Sequence, residues 1–563
     1  MIESHAEHIK TKKRSRIEKE GIHSICEPNQ ELPVIESLAE RSKTKKRFGV
    51  EKEVMHSISK PNQELPVIES LAERIKTKKR SGIEKEASVT KKHVVVIGAG
   101  FSGLAAAREL EHLGFQVIII EARNRIGGRA WSSDIGGSIV DLGASYIHGI
   151  DGNPVAKLAK KFKKHLVEFD GDQLFDFDGK WVSEEADNAA ELTFNTALEE
   201  VCKTRSSKVS LGTIFYEEVA RYPLSDEAKR LLDWHVSHLE YSLNENIDKV
   251  SCSDFDQDDV YRFSGNHVMV NEGMGSIVAC LSSGLNIQFE QPVTEIEYNG
   301  DSVTVTTKNG KTFGADFCMV TLPIGVLKSK QIKFIPGLPV EKKTSIDALG
   351  SGILNKIALK FPYIFWETNN SFVGYASKTK GEYPLFFDGS RISNGSPVLV
   401  GLVSGGFATR VSRISDTEVV GEVLQVLRLM FGNAIPDPID YHITKWHQDE
   451  YSLGSFSYVS SRGTADDYDT MSYPVSHKNA TSLNDFRLFF AGEATTRFHP
   501  ATVHGAFLSG IREAYRIHKI VFGSKQMIVP NSRLLVTEYP DKVVDEYSHA
   551  QITEFIIQNY KFN

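Results

Sequence analysis

Gly98-x-Gly100-x-x-Gly103, followed eighteen residues later by Glu121, is the spacing in this chain best suited to chemistry. Gly98 permits a tight turn, Gly100 lets backbone approach a pyrophosphate, and Gly103 lets a helix pack closely on a strand. A carboxylate at Glu121 stands where it can accept from ribose hydroxyls. The flanks supply the context such a motif needs. Val94 to Ile97 is an apolar strand, Leu104 to Leu113 has a helical pattern, and Phe115 to Ile120 reads as the next buried strand. The helix N-terminus offers free N–H groups and a positive dipole end to phosphates.

A second phosphate signal follows at once. Arg123, Arg125 and Arg129 flank the doublet Gly127-Gly128. Backbone amides and guanidinium forks match a diphosphate. A site for a nicotinamide nucleotide alone needs no such segment here, whereas an extended FAD can use it.

The elements that must position these groups begin at Lys92. Pro154 to Lys164 and Glu227 to Leu243 carry helical spacing, and residues 154–251 read as mainly helical. Leu285 to Val305 and Thr312 to Leu322 alternate as strands around Asn299-Gly and Asn309-Gly turns. Lys356 to Phe361, Val398 to Ser404, Tyr441 to Trp446 and Leu488 to Phe490 read as further strands, and Val503 to Ile520 as a closing helix. At 563 residues the chain exceeds one core. The expected class is α/β: a Rossmann-like FAD-binding domain (91–155, 252–325 and 456–523) with an α+β substrate domain (156–251 and 326–455).

Residues 1–90 differ from the rest. Lys10-Thr-Lys-Lys-Arg14 recurs at Lys43 and Lys76, each 33 residues after the last. Pro28 to Arg41 recurs unchanged from Pro61 to Arg74. The copies are few, charged and nearly free of aromatics, so a disordered repeat leader is expected. Its basic clusters suit nuclear import or a weak anionic tether. Residues 524–563 read as a C-terminal tail. The net charge of −7 argues against direct nucleic-acid binding. The five cysteines are scattered without a CxxC pair, so free thiols are expected, with neither a disulfide framework nor a metal site. No apolar run reaches membrane-spanning length and no signal peptide opens the chain, so a cytoplasmic location is expected, with nuclear entry left open.

Five motifs taken together resemble the flavin-containing amine oxidases, which include polyamine oxidases, monoamine oxidases and lysine-specific histone demethylases. They are Gly98 to Gly103, Glu121 to Arg129, Asp141-Leu-Gly-Ala-Ser-Tyr-Ile-His-Gly149, Thr321-Leu-Pro-Ile-Gly-Val-Leu327 and Phe490-Ala-Gly-Glu-Ala-Thr495. The resemblance runs in consistent order over about residues 92 to 523. It implies FAD contacts at Ser102, Glu121, Arg123, Gly128, Arg129, Val293 and Glu493. It places Thr502 and Val503 at a helix start facing the flavin. Lys356, in Leu354-Asn-Lys-Ile-Ala358, matches the lysine that holds a water against flavin N5. Trp446 and Phe456 are expected at the flavin and the substrate channel. Ser455 matches the monoamine oxidase position of a flavin-bonded cysteine, so FAD should be non-covalent. Phe456 fits one wall of that family's aromatic cage and Thr502 stands at the other, which weighs against monoamines.

The implied reaction oxidises the carbon beside an amine nitrogen. The imine hydrolyses to aldehyde and amine, and oxygen reoxidises the flavin with release of hydrogen peroxide. A polyamine or other secondary amine comes first, because Gly143 to Gly149 is similar to a polyamine oxidase stretch in which His148 contacts substrate or holds structure. Glu240 and the acidic residues of Asp254 to Asp259 could attract such a polycation. Histone demethylation is the alternative. Leu232 to His235, Gly454 to Val459 and Pro500 to Gly505 resemble demethylase segments, yet the leader does not resemble a SWIRM domain. The interval Asp187 to Leu231 leaves no room for the tower of the animal enzymes. A catalytically silent flavin-fold scaffold is the remaining, less favoured class. Oligomeric state is left open.

Overall fold

The structure, a computed structural model, describes residues 91–206, 209–477 and 482–523. The repeat leader and the C-terminal tail therefore lie outside the described residues. From Lys92 onward the described chain falls in one compact unit.

A six-stranded sheet carries the glycine motif. Its order is Val475–Ser476, Phe486–Phe490, Phe317–Val320, His93–Ile97, Gln116–Ile120 and Ile287–Gln288. All pairings are parallel except at the Val475–Ser476 edge. The strands read as continuous apolar runs because both faces are covered, as parallel sheets require. Helices Phe101–His112 and Val503–Phe522 pack together on one face, around Leu104, Leu110, Phe507 and Ile511. They approach so closely that a Cβ at Gly510 would lie 2.2 Å from Ser102 O.

The second large sheet is mostly antiparallel, in the order Asp440–Ile443, Leu354–Lys360, Val398–Ser404, Leu385–Asp388, Phe372–Ala376 and Asp172–Asp176. Helix Asp416–Phe431, with its Ser415/Glu418 capping box, covers one face of it. Helices Glu184–Thr204, Leu211–Val219 and Asp226–Leu243 form an adjoining apolar cluster.

Residues 154–251 are mainly helical, as expected, and also hold the strands Leu166–Glu168 and Asp172–Asp176, the second joining the large sheet parallel to Phe372–Ala376. Two expectations need correction. Thr312 to Leu322 is not one strand. Thr312–Ala315 and Phe317–Val320 belong to different sheets and part at Asp316, whose carboxylate accepts from Lys92 Nζ and His93 N. Cys252, Cys280 and Cys318 are free thiols, but Cys202 is not.

Candidate functional site

A cavity of about 1220 Å³ opens at the C-terminal ends of the parallel strands and is also walled by the second sheet and its helices. Ligands of open α/β sheets bind at this edge. Gly98, Gly100, Ser102, Glu121, Arg123, Gly128, Arg129, His148, Val293, Lys356, Trp446, Phe456, Glu493, Thr502 and Val503 all line it. Gly103 sits behind the wall.

The glycines are explained by space. Gly98 has φ +106° and a Cβ there would meet Thr321 Oγ1 at 2.6 Å. A Cβ at Gly103 would lie 2.0 Å from Gly98 O, so only glycine lets the helix sit on the strand. Over Gly100 the nearest atom is 3.8 Å from such a Cβ, which leaves the wall open to a close-approaching group. Helix Phe101–His112 starts here, with Gly100 as its N-cap and no side-chain cap. Its first amides and dipole end are left for an anion.

Glu121 is 5% exposed; its two oxygens accept from Ala99 N at 2.8 Å and Arg123 N at 2.9 Å. Each oxygen keeps a lone pair for a ribose hydroxyl.

The arginines are placed differently from the simple fork picture. Arg123 grips Asp449 through two N–H···O bonds of 2.9 and 2.6 Å and also donates to Ser452. Arg125 donates to Gly128 O and lies 4.5 Å over Trp131, and burial lowers its guanidinium to about 10. Arg129 donates to Ser455 O and Glu493. All three forks therefore already hold protein acceptors. Arg123 and Arg129 nonetheless line the cavity, and Arg129 uses only Nη1 in these bonds, so further N–H donors remain beside the backbone amides.

Glu493 is a hub. It accepts from Arg129, from Ser457 Oγ and N, and from Ala501 N at 3.1 Å. Ala501 holds φ +60°, a left-handed conformation that costs a residue with a Cβ roughly 1 kcal/mol. The bond to Glu493 fixes that turn. The turn delivers Thr502, whose hydroxyl caps helix Val503–Phe522 through Gly505 N at 2.9 Å. A second helix N-terminus thereby faces the same cavity.

Lys356 lies on strand Leu354–Lys360 and is 8% exposed. Its Nζ donates to Asp141 O and Gly143 O, both at 2.8 Å, and to Ser145 Oγ. Burial lowers it to about 8, while the Asp141 carboxylate pulls the other way. Asp141 is itself raised to about 6 by burial. Trp446 Nε1 donates to Leu142 O at 3.2 Å, so Lys356 and Trp446 together clamp the segment Asp141 to Gly143.

His148 lies in the wall with Tyr146 and His267, at ring distances of 5.7 and 5.4 Å. Burial, then His267, pushes it down to about 3, so it is neutral.

The carboxylates singled out for a polycation do not face the cavity. Glu240 is buried against Lys380 at 2.7 Å, Asp256 against Arg205 and Asp259 against Arg262. Apart from Glu121 and Glu493, the cavity acids are Glu168, Asp170, Asp172, Glu191 and Glu450. The first three alternate along the extended segment at residues 166–176. That period of two was the available signal.

The fit to FAD is good: a glycine cradle, two helix N-termini and a buried carboxylate with lone pairs to spare share one cavity. The family model for flavin containing amine oxidoreductase matches residues 101–518. The chain belongs to this family. A pyridine nucleotide-disulphide oxidoreductase model also matches residues 56–143. The family is flavin-containing, and FAD is the cofactor it implies for this cavity.

Among curated relatives, Protein FLOWERING LOCUS D of Arabidopsis thaliana is 38% identical over 447 residues, 76% of this chain and 55% of that protein. Lysine-specific histone demethylase 1 homolog 3 of Oryza sativa subsp. japonica is 39% identical over 446 residues, 75% of this chain and 54% of that protein. The chain spans about half the length of these relatives. Among solved structures, putrescine oxidase bound to putrescine superposes with a TM-score of 0.61 at 18% identity, covering 76% of this chain and 99% of that one. This likeness shows the fold. Among the described residues no helix is long and apolar enough to cross a membrane.

Proposed function

We propose that the chain oxidises an N-substituted amine carried on a cationic chain, with a methylated lysine in a basic peptide as the first candidate substrate. The observation that carries this reading is one cavity lined both by the glycine cradle and by the carboxylates Glu168, Asp170, Asp172 and Glu191. A cavity of this charge concentrates cations. The name of the 39% identical lysine-specific histone demethylase 1 homolog 3 favours methyl-lysine over a free polyamine.

Bound, non-covalent FAD supplies the two-electron redox chemistry and the reaction with oxygen. Glu121, the amides after Gly98 and the N-terminus at Val503 would hold it. The chain's own work is then positional. The acidic wall draws in the substrate's distal cations and Phe456 packs against its apolar stem. Lys356 and Trp446 keep the Asp141 to Ser145 segment in place. Holding the reacting amine as the neutral base permits its N-methyl carbon to be oxidised to an imine. Water then adds to the imine, and formaldehyde leaves the less methylated amine.

Polyamine oxidation is the second reading, favoured by Gly143, Tyr146 and His148 lining the same cavity. The repeated KTKKR clusters suit nuclear delivery under the first reading. The test is anaerobic bleaching of the flavin, with formaldehyde and peroxide measured in air. Dimethyl-lysine peptides should bleach it and release formaldehyde in equal amounts to peroxide. Bleaching by spermine or spermidine, with none by peptides, reverses the order of the two readings. A colourless protein that takes up no FAD refutes both.

A further inference from the structure

Lys356 meets the cavity through a neighbour. An ammonium has three N–H bonds, and Asp141 O, Gly143 O and Ser145 Oγ take all three. Two of these acceptors are carbonyls, which can only accept. The third is a hydroxyl, which can also donate. Ser145 lines the cavity beside Lys356. Its hydroxyl also approaches Gly143 O at 3.4 Å, too long to hold its proton firmly.

We propose that Ser145 is a positioning residue that reports the charge of Lys356 to the cavity, its hydroxyl donating into the cavity when Lys356 is an ammonium and turning inward to donate to Nζ when Lys356 is neutral. The proposal rests on the amine-oxidase reading of this cavity. The hydrogen bonds balance in both states. The ammonium makes three donations and leaves the Ser145 proton free. The amine makes two, to the carbonyls, and its lone pair accepts the Ser145 proton. One cavity atom is thus a donor in the first state and an acceptor in the second. A donor there engages the oxygen of a water or the lone pair of a substrate nitrogen. An acceptor engages N–H and leaves that lone pair free for oxidation.

The surroundings allow the switch. The charged group acting on Lys356 is Asp141, whose carboxylate accepts from Ser132 Oγ and Met274 N. Across the sheet Lys356 pairs with Leu402, and its own amide donates to Thr444, neither of which is charged. Burial that weakens the ammonium brings the change of state within reach of neutral pH.

The test labels Lys356 in the holoenzyme by reductive methylation across pH, read by peptide mass spectrometry. The pH profile of anaerobic flavin reduction is measured alongside. Ser145→Ala removes an acceptor from the ammonium, so the labelling midpoint should fall by about one pH unit. Ser145→Thr keeps the hydroxyl and should restore both the midpoint and the reduction profile. Ser145→Cys, a poor acceptor, should fall between, and decides the question if the alanine protein does not fold. A midpoint unmoved in Ser145→Ala, or a Ser145→Thr profile matching that of alanine, overturns the proposal. A wild-type holoenzyme that oxidises no amine fails the functional reading instead, and leaves the labelling shift readable.

Discussion

One wall of the cavity is built from backbone and the other from side chains brought together over long distances. On the dinucleotide wall, Gly98, Gly100 and Gly103 act by having no side chain, and the amides after Gly100 supply the polar groups. On the amine wall, Lys356 comes from one sheet strand, Ser145 and His148 from a loop, Glu168 to Asp172 from the link between two strands of different sheets and Glu191 from a helix. A phosphate is alike in every cofactor of its class, so a fixed backbone shape can hold it. An amine substrate differs in length and charge, so its wall is assembled from exchangeable side chains. The prosthetic group and the substrate class should accordingly fail under different substitutions.

The largest effect should come from Lys356→Met. Flavin reduction is expected to fall by about 10²–10⁴-fold, the range for losing a positioned proton-handling group, with bound FAD unchanged. Stopped-flow reduction and the absorbance ratio of the purified protein measure the two halves. As pH rises through about 8, Lys356 loses its proton, so the wild-type rate should change there and the Lys356→Met rate should not. FAD loss in this variant would merge the two walls into one unit and break the comparison.

Next comes Gly103→Val. Its Cβ would lie 2.0 Å from Gly98 O, so helix and strand must separate. Overpacking of this kind costs about 1–3 kcal/mol. Bound FAD and Tm should both fall, whereas a protein still fully yellow would show that the cradle is softer than its geometry implies. Glu121→Ala should weaken FAD binding by about 10–100-fold through lost charge-assisted hydrogen bonds. Turnover at saturating FAD should be nearly kept, and equilibrium dialysis reads the binding. The smallest effect belongs to Glu168→Gln with Asp172→Asn. KM for a cationic substrate should rise by roughly 3–10-fold with kcat kept, and the salt dependence of kcat/KM should flatten. A kcat loss without a KM change would place these acids at the chemistry itself.

The two walls were also unequally legible. Gly98 to Gly103 with Glu121 marked the dinucleotide wall from sequence because its parts are contiguous and each residue type answers a local demand. Lys356 was found only through a family motif, since a lysine on an apolar strand otherwise reads as one that snorkels to water. Glu240 and Asp254 to Asp259 were reasonable candidates for cation attraction, but Lys380, Arg205 and Arg262 had already neutralised several of them. Three of the acids that do line the cavity, Glu168, Asp170 and Asp172, sit in strands Leu166–Glu168 and Asp172–Asp176 or between them. These strands are too short to stand out from a helical neighbourhood. Likewise, Thr312 to Leu322 has one unbroken alternation, and nothing local says that Asp316 divides it between two sheets.

The sequence alone determined the nucleotide wall, the family, and the first strand–helix–strand unit from His93 to Ile120 with the closing helix Val503–Phe522. These follow from local sterics and from periodicities that neighbouring residues share. Tertiary structure decided which acids line the cavity, that Arg123 and Arg129 hold protein partners, that Glu493 locks the Ala501 turn, and that Ser145 lies beside Lys356 in the cavity wall. Each of these is a pairing between residues far apart in the chain. Its outcome depends on which partner arrives first within hydrogen-bond range, and only the packed fold sets that distance.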